Sequence, residues 1–316
     1  QYLNAFFTRP RADKNACELV LTEASEQVKM MQAATMYRFF GAFLDAVSNH
    51  DPYQMNPLSY TQEYLDQVNY DDAVKFYRER FANPADFTYI FVGNFDEKVM
   101  NEYLCLYLGS MKTSSEHENF NANAFKKHQD GIQTSTVKYG QEKQGWMGIC
   151  FEGTYDYNAK NNMTINVLGD VLDQYVLEII REKMGDVYSP MLQMGYEKYP
   201  EACYKLLIML SCNPDNTDKL ANTCIQILKD VQKKGADKKT LSKVKKQMIA
   251  TREKNIQTNN FWLSYINGKV VYNDDMNAVN EYADMVNSIS KKDLVNFMKK
   301  YFKTDSYTRV DLKPEN

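Results

Sequence analysis

A regular pattern of apolar residues runs from Met163 to Ile180. Its members recur at steps of three and four residues, the spacing of one face of an α-helix. They are Leu168, Val171, Leu172, Tyr175, Val176, Ile179 and Ile180. Gly185 is expected to end this helix, because glycine adopts the left-handed conformation of a helix C-terminus without steric cost. A strand at 187–196 is predicted next, which places Arg181 in the last helical turn and Tyr188 just beyond the corner.

Helical and strand patterns fill much of the remaining chain. Helices are predicted over about 12–47, 60–68, 71–81, 96–109, 215–234, 237–257, 261–271 and 290–302. Strands are predicted over about 87–93, 136–139, 146–152, 204–211 and 307–312. Alternation predicts that Tyr204, Leu206, Ile208 and Leu210 share one face of their strand. From 112 to 135 the apolar pattern gives way to Ser, Glu, Asn, Lys and Gln, which is typical of an interdomain linker.

Two parts of the chain resemble each other in order and spacing, which indicates an internal repeat. Asp72, Val74, Phe76, Phe81, Phe87 and Thr88 match Asp293, Val295, Phe297, Phe302, Tyr307 and Thr308, with one residue dropped before the strand. Ala12-Asp13-Lys14 followed by Val20 matches Ala236-Asp237-Lys238 followed by Val244. The chain is therefore predicted to contain two copies of one α+β module. The C-terminal part of the first copy occupies 1–111, a linker 112–135, and a complete second copy 136–316.

The first copy lacks counterparts of the opening strands and of the helix at 163–180. We therefore expect this chain to be the C-terminal part of a longer protein, with a first module truncated at its N-terminus. An incomplete sheet leaves strand edges unpaired. Pairing with a partner, or a homodimer through the incomplete sheet, is expected from this.

Composition and charge narrow the class of protein. With 316 residues, 44% of them hydrophobic, the chain can bury a sizeable core and suggests about two domains. The net charge of -3 gives no bulk electrostatic reason for a nucleic acid or an anionic membrane as partner. No apolar run approaches the roughly twenty residues of a membrane span. A group of lysines on or beside two predicted helices is interpreted as a solvated face rather than a binding patch: Lys233, Lys234, Lys238, Lys239, Lys243, Lys245 and Lys246.

The common catalytic motifs are absent from the sequence. The histidines are His50, His117 and His128, and none belongs to a His-Glu-x-x-His or His-x-x-Glu-His zinc helix. Glycine-rich phosphate loops, nucleophile elbows and dinucleotide fingerprints are also missing. The six cysteines form no Cys-x-x-Cys pair, and buried free thiols are favoured over disulfides. The sequence thus predicts no catalytic residue and no metal ligand in this chain.

Arg181 and Tyr188 are the remaining candidates, and two interpretations compete. In the structural one, Arg181 interacts with the negative end of its helix and pairs with Glu178, while Tyr188 packs in a strand. In the functional one, both side chains donate hydrogen bonds to a carbonyl oxygen on which charge develops during acyl transfer.

The stretch from Ile180 to Ser189 (IREKMGDVYS) resembles the Arg-Glu-x-x-Gly-x-x-Tyr-Ser signature of the M16 family of pitrilysin or insulinase-type zinc peptidases. Five further phrases resemble its bacterial two-module members of the PqqL type. They are FTRPRAD (7–13), YRERFAN (77–83), FTYIFVGNFD (87–96), YLGS (107–110) and NFWL (260–263).

The resemblance implies tandem LuxS/MPP-like α+β modules, each a mostly antiparallel sheet packed with helices, that enclose a chamber for an unfolded peptide. It implies that Arg181 and Tyr188 bind substrate. The catalytic zinc is expected on an inverted zinc helix in the N-terminal half of the same protein. By itself this chain is expected to bind no zinc and to hydrolyse nothing. Relatives of this type imply a periplasmic or cell-envelope location.

Two alternatives remain at this point. The whole protein could be a metal-free M16-like scaffold or peptide-binding subunit without proteolytic activity. It could also be an unrelated α+β binding domain with a local resemblance, although the spread of matching phrases argues against that. A His-x-x-Glu-His helix upstream of this chain would favour the peptidase over the scaffold.

Overall fold

The computed structural model describes residues 1–54, 60–126, 129–141, 143–184 and 188–315, and the side chains at 52, 181–184 and 188–189 lie outside this description. Its helices are α1 (Tyr2–Thr8), α2 (Lys14–Ala33), α3 (Thr35–Val47), α4 (Gln62–Leu65), α5 (Tyr70–Arg80), α6 (Glu97–Tyr107), α7 (Ala159–Met184), α8 (Thr217–Lys234), α9 (Lys238–Asn255), α10 (Asn259–Tyr272), α11 (Tyr282–Ser288) and α12 (Lys291–Tyr301). Its strands are β1 (Ile132–Lys138), β2 (Gly145–Thr154), β3 (Tyr188–Glu197), β4 (Cys203–Cys212) and β5 (Tyr307–Lys313).

The chain divides into two compact units. Unit 1 contains Gln1–Met30, Tyr60–Asn121 and Ile256–Asp274. Unit 2 contains Met31–Ser59, Ala122–Asn255 and Asp275–Asn316. The predicted module boundaries at 111, 112–135 and 136 follow sequence equivalence rather than compactness, and they stay a prediction.

Unit 2 is built on a five-stranded sheet in the order β1-β5-β2-β4-β3. Only the pair formed by β1 and β5 is parallel among the described strand pairs. Helices α7, α8 and α12 pack against one face, where the side chains of β2 and β4 form the larger core. The predicted alternation in β4 is confirmed, since Tyr204, Leu206, Ile208 and Leu210 are all buried in this core. The predicted α+β class with a mostly antiparallel sheet is confirmed.

Helix α3 covers part of the opposite face of the sheet. Phe39 and Phe43 stack at 5.9 Å between ring centroids and contact the smaller core on β2 and β5. Gly148 in β2 makes room for these rings, because a Cβ at that position would lie 2.9 Å from each of them. The absence of a side chain at this position therefore lets α3 approach the sheet closely.

Helices matched by the predicted repeat begin in the same way in both units. Helices α5 and α12 each have 11 residues, and Asp72 and Asp293 both occupy the third helical position. In α12 this residue forms a reciprocal capping box with Ser290. Asp13 and Asp237 each precede a helix and accept the N–H of the residue three positions later, at 3.2 and 2.9 Å. Local capping thus agrees with the sequence match.

The predicted strand at 87–93 is wrong. Phe87 is extended, with φ -106° and ψ 140°, but the structure assigns no strand to this segment. Its ring packs edge-on against Phe7 at 4.9 Å and stacks on Phe81 at 5.2 Å. A β-prone sequence becomes a strand only when a neighbouring strand pairs with it, and unit 1 offers none among the described residues.

The single helix predicted at 12–47 is also wrong, because an extended Ala34 separates α2 from α3. The Tyr139 hydroxyl donates to the carbonyl of Ala33 at 3.2 Å, and the Arg38 guanidinium lies 4.0 Å from the centre of the Tyr139 ring. These contacts join residues about a hundred positions apart. The Tyr139 hydroxyl supplies a hydrogen-bond donor to a carbonyl in the last turn of α2. No local sequence pattern could reveal them.

Further differences concern polar or short elements. Strand β1 begins at Ile132, inside the predicted linker. It has no apolar pattern of its own, and its strand conformation depends on parallel pairing with β5. Helices α1 and α11, seven residues each, were not predicted. All six cysteines are free; Cys150, Cys212 and Cys224 are buried as predicted, whereas Cys17 and Cys203 are partly buried and Cys105 is exposed.

Candidate functional site

Helix α7 is the predicted organising helix, and its apolar stripe is confirmed. Its start is capped by the side chain of Asn158, which accepts the N–H of Asn161 at 2.9 Å. Five residues of the stripe are buried in the core of unit 2: Leu168, Val171, Leu172, Val176 and Ile180. The buried stripe therefore fixes which face of the helix packs on the sheet, and the helix lies beside β3.

The distance between α7 and β3 depends on Gly169. A Cβ at this position would lie 2.9 Å from the Cβ of Met194, in the middle of β3. That separation is shorter than van der Waals contact, so a larger residue must move the helix or the strand. Gly169 thus lets α7 and β3 approach each other closely at Met194.

Replacing Gly169 with valine should lower the free energy of unfolding by about 1–3 kcal/mol, since overpacking forces backbone shifts. The measurement is equilibrium unfolding of the 316-residue chain in urea. Gly195→Ala is the matched control, because it changes the neighbour of Met194 where no atom lies within 4 Å. Its effect should stay within about 0.5 kcal/mol. Equal losses in both variants would contradict the proposed close approach.

The corner between α7 and β3 carries the predicted site. Arg181 lies in the last turn of α7, and Tyr188 is the first residue of β3. Their side chains lie outside the described residues, as do residues 185–187 with the predicted helix stop at Gly185. The backbone positions agree with the predicted helix-to-strand corner. The substrate-binding role of Arg181 and Tyr188 stays a prediction.

Strand β3 is an edge strand of the sheet. It pairs with β4 along one side, and its other side has no paired strand among the described residues. The ladder is interrupted between Tyr188 and Met191, where Pro190 lies. Proline has no N–H to donate and is usual at edges and bulges. The outer edge of β3 therefore presents backbone donors and acceptors beside the corner.

The sheet face opposite α7 carries a charged cluster on β2, β4 and β3. The Lys205 ammonium lies 3.7 Å from Glu152 Oε1 and 3.9 Å from Glu197 Oε2. Burial lowers the pKa of Lys205, but the two glutamates raise it more, so the lysine stays charged. Sequence reasoning missed this cluster, although the alternation that buries Tyr204 and Leu206 also predicts Lys205 on the other face.

The nucleophiles next to this cluster are unreactive. Burial raises the pKa of Cys203 to about 12 and also raises the pKa of Cys150 far above its ordinary value. Both thiols are therefore neutral near pH 7, whereas a nucleophilic cysteine must be a thiolate. The cluster can form ion pairs with a ligand but offers no activated nucleophile.

The two histidines that the structure describes also form no site. His50 pairs with Asp45, and His117 lies 2.5 Å from the Asp86 carboxylate. His128 lies outside the described residues. Across the part of the chain that the structure describes, no group of three His, Cys, Asp or Glu side chains could hold a metal ion. The described donors therefore do not fit a zinc site.

Comparison with known families gives a decisive result. A family model described as "Peptidase M16 inactive domain" matches residues 67–248, more than half of the chain. The chain belongs to the M16 peptidase family. This confirms the family resemblance of the Arg181 and Tyr188 region, which lies inside the matched range.

The relatives of this M16 chain are zinc proteases of the PqqL type. A PQQL-like zinc protease of Arabidopsis thaliana is 22% identical over 274 residues, which cover 83% of this chain and 28% of that protein. The periplasmic protease PqqL of Escherichia coli has a TM-score of 0.77 at 17% identity, covering 96% of this chain and 33% of that one. The first half of the same protease gives a TM-score of 0.72 at 15% identity, covering 99% and 69%. At these identities the likeness shows the fold.

The M16 chain spans only about a quarter of the length of the curated relatives it matches. No described helix combines the length and the apolar character that a membrane span requires.

Proposed function

We propose that this chain is the noncatalytic, substrate-binding part of a larger zinc-dependent M16 endopeptidase that acts on peptides or unfolded segments. One observation carries the proposal. The chain matches the inactive domain of this family over more than half its length, while its relatives are zinc proteases about three times as long. The catalytic zinc would be held by a His-x-x-Glu-His helix in the N-terminal half of the same protein and would activate water there.

The corner and the edge strand support a role in binding substrate. An extended peptide can add to an exposed strand edge through main-chain hydrogen bonds, which hold any sequence in register. Strand β3 offers such an edge next to Arg181 and Tyr188. In the proposed complex the guanidinium and the phenol donate hydrogen bonds to carbonyl oxygens near the scissile bond. Donors placed there stabilise the negative charge that develops during hydrolysis.

Matched positions of the repeat support an N-terminal partner half. Val244 is 2% exposed and Phe297 is 3% exposed in unit 2, whereas the matched Val20 and Phe76 in unit 1 are 61% and 63% exposed. In unit 2 the sheet and its helices cover these positions. We infer that strands of the N-terminal half cover Val20 and Phe76 in the full-length protein. In the competing arrangement, a second copy of the chain buries Val20 and Phe76 in a homodimer.

Cleavage assays on the full-length protein test the proposed function. The full-length protein should cleave a reduced and alkylated protein substrate and lose that activity when a chelator removes zinc. The 316-residue chain alone should bind the same substrate without cleaving it. Folded substrate with intact disulfides is the matched control and should be cleaved far more slowly.

Two results would contradict the proposal. Substrate binding by the full-length protein without any cleavage would favour the metal-free scaffold. A failure of the chain to bind any unfolded substrate would remove the substrate-binding role. The PqqL protease of Escherichia coli is periplasmic, and we propose the periplasm or cell envelope for this protein as well. Fractionation of cells that express the full-length protein measures this directly.

A further inference from the structure

A groove lined by lysines lies in unit 2 on the surface formed by α9, α11 and α12. Its volume is about 500 Å³. Four lysines line it: Lys238, Lys245, Lys246 and Lys291. Its described lining contains no acidic residue. The sequence pattern alone suggested a solvated lysine face, but the fold gathers lysines from two helices around one concave surface.

The charges of this groove are available to a ligand. None of the four lysines forms an ion pair with a described carboxylate. Lys245 is partly buried and donates to the carbonyl of Asn287 at 2.9 Å, which fixes it at one side of the groove. Lys238, Lys246 and Lys291 are exposed. Long lysine side chains can therefore turn toward a ligand without breaking a salt bridge.

The nearest carboxylates are engaged by other groups. Asp237 accepts hydrogen bonds from Thr240 and from the Tyr175 hydroxyl, at 2.7 and 2.8 Å from its Oδ2. Asp293 lies 2.7 Å from the Lys160 ammonium and closes the capping box with Ser290. The hydroxyl partners leave the charge of Asp237 in place, whereas Lys160 offsets that of Asp293, so the four lysines outnumber the one remaining negative charge beside the groove.

The spacing and the lining of the groove indicate the chemistry of the ligand. Lys238 and Lys245 are seven residues apart on α9, which corresponds to about 10 Å along the helix. In an extended peptide, about 10 Å separates side chains three residues apart. Leu241, which is partly buried and lies between Lys238 and Lys245 in sequence, gives the groove an apolar part that a peptide backbone and its methylene groups can cover. An extended peptide can pair with both lysines along this length, whereas a single phosphate requires their side chains to converge on one point.

We propose that this lysine groove binds an extended acidic peptide segment whose carboxylates lie two to four residues apart. The proposal goes beyond the peptidase function and does not depend on it, because binding to the groove requires neither zinc nor cleavage. The groove lies on α9, α11 and α12, apart from the edge strand β3. It would select peptides by charge, whereas main-chain pairing does not depend on side chains.

Fluorescence anisotropy of the 316-residue chain at low ionic strength tests the proposal. The probe is a short fluorescein-labelled peptide in which Glu alternates with Ser, and the matched peptide carries Gln in place of Glu. The Glu peptide should bind at least about tenfold more tightly than the Gln peptide, and added salt should remove the difference. Combined Lys238→Gln, Lys246→Gln and Lys291→Gln substitutions should weaken binding of the Glu peptide about tenfold.

A charge-matched variant separates the groove from net charge. Lys138→Gln, Lys219→Gln and Lys229→Gln remove three exposed lysines from β1 and α8, none of which lines the groove, and should change the affinity less than about twofold. Lys246→Gln alone should weaken binding about twofold, which provides a second measurement if the triple variant does not fold. Equal losses in the two triple variants would overturn the proposal. Tighter binding of inorganic tripolyphosphate than of the Glu peptide would overturn it in favour of a phosphate ligand.

Discussion

Arg181→Ala in the full-length protein should lower kcat/KM for an unfolded peptide substrate about a hundredfold. The physical reason is the position of Arg181 in the last turn of α7, directly before the corner that leads into β3. A guanidinium at this corner can donate to a carbonyl oxygen that gains negative charge as water attacks. Tyr188→Phe removes one hydroxyl at the other side of the corner and should cost a similar factor.

The kinetic constant that changes in the two variants shows how the lost side chain acts. Loss of a donor that acts only in the transition state lowers kcat, whereas loss of a contact that holds substrate equally in both states raises KM. Steady-state kinetics over a range of peptide concentrations distinguishes these cases. We expect the decrease mainly in kcat.

The chain offers matched controls for both substitutions. Arg80 also lies in the last turn of a helix, and Tyr307 is also the first residue of a strand. Arg80→Ala and Tyr307→Phe should leave kcat/KM within about threefold of the parent. Activity of Arg181→Ala and Tyr188→Phe in that same range would mean that these residues only cap a helix and pack a strand.

Phe297→Ala should lower the free energy of unfolding of the 316-residue chain by about 3–5 kcal/mol. Phe297 is buried, and its ring lies edge-on to Tyr204 and Tyr155 at 6.0 and 6.1 Å between centroids. Truncation leaves a cavity between α12 and the sheet. The matched Phe76→Ala should cost less than about 0.5 kcal/mol, because that ring is largely exposed and no cavity forms.

Urea unfolding followed by tryptophan fluorescence measures the Phe297 effect. Trp146 belongs to β2 in unit 2 and Trp262 to α10 in unit 1, so a Trp262→Phe background makes the signal report on unit 2. Phe76 lies in unit 1, so its effect is followed through Trp262 in a Trp146→Phe background, and the decisive comparison repeats Phe76→Ala in the full-length protein. There the loss should rise to about 3 kcal/mol if strands of the N-terminal half cover this face. An unchanged small loss would show that the face stays exposed.

Analytical ultracentrifugation of the 316-residue chain tests whether a homodimer buries Phe76 instead. A monomer is expected if the N-terminal half is the natural partner. A dimer that Phe76→Asp dissociates would instead assign the face to a second copy.

Helices and strands whose apolar residues recur at regular spacing could be predicted from the sequence. The stripe of α7 and the alternation of β4 both depend on burial against one face, and burial determines which positions must be apolar. The corner at Arg181 followed from the position of α7 and from the signature that the residues around it resemble. Its side-chain geometry stays a prediction, because a repeating pattern specifies a face and not a rotamer.

Elements that depend on distant partners could not be predicted. Strand β1 is mostly exposed and has no apolar period, and it exists because β5 pairs with it. The segment at 87–93 has strand composition but no strand partner in the described part of unit 1. The break at Ala34 depends on Tyr139, which is more than a hundred residues away. In each case the deciding contact is far away in sequence.

The place of β5 in the sheet has a consequence for how this protein folds. Strand β5 comes last in sequence, yet it lies between β1 and β2. During synthesis, β2 and β4 can pair early, whereas β1 must wait for the ribosome to release Tyr307–Lys313. Until then the edge of β2 is open, and the smaller core of Phe39 and Phe43 lacks Val310 and Leu312. Contacts between residues so far apart in sequence form slowly, so the nascent chain exposes an unpaired strand edge, where aggregation is favoured, until β5 is in place.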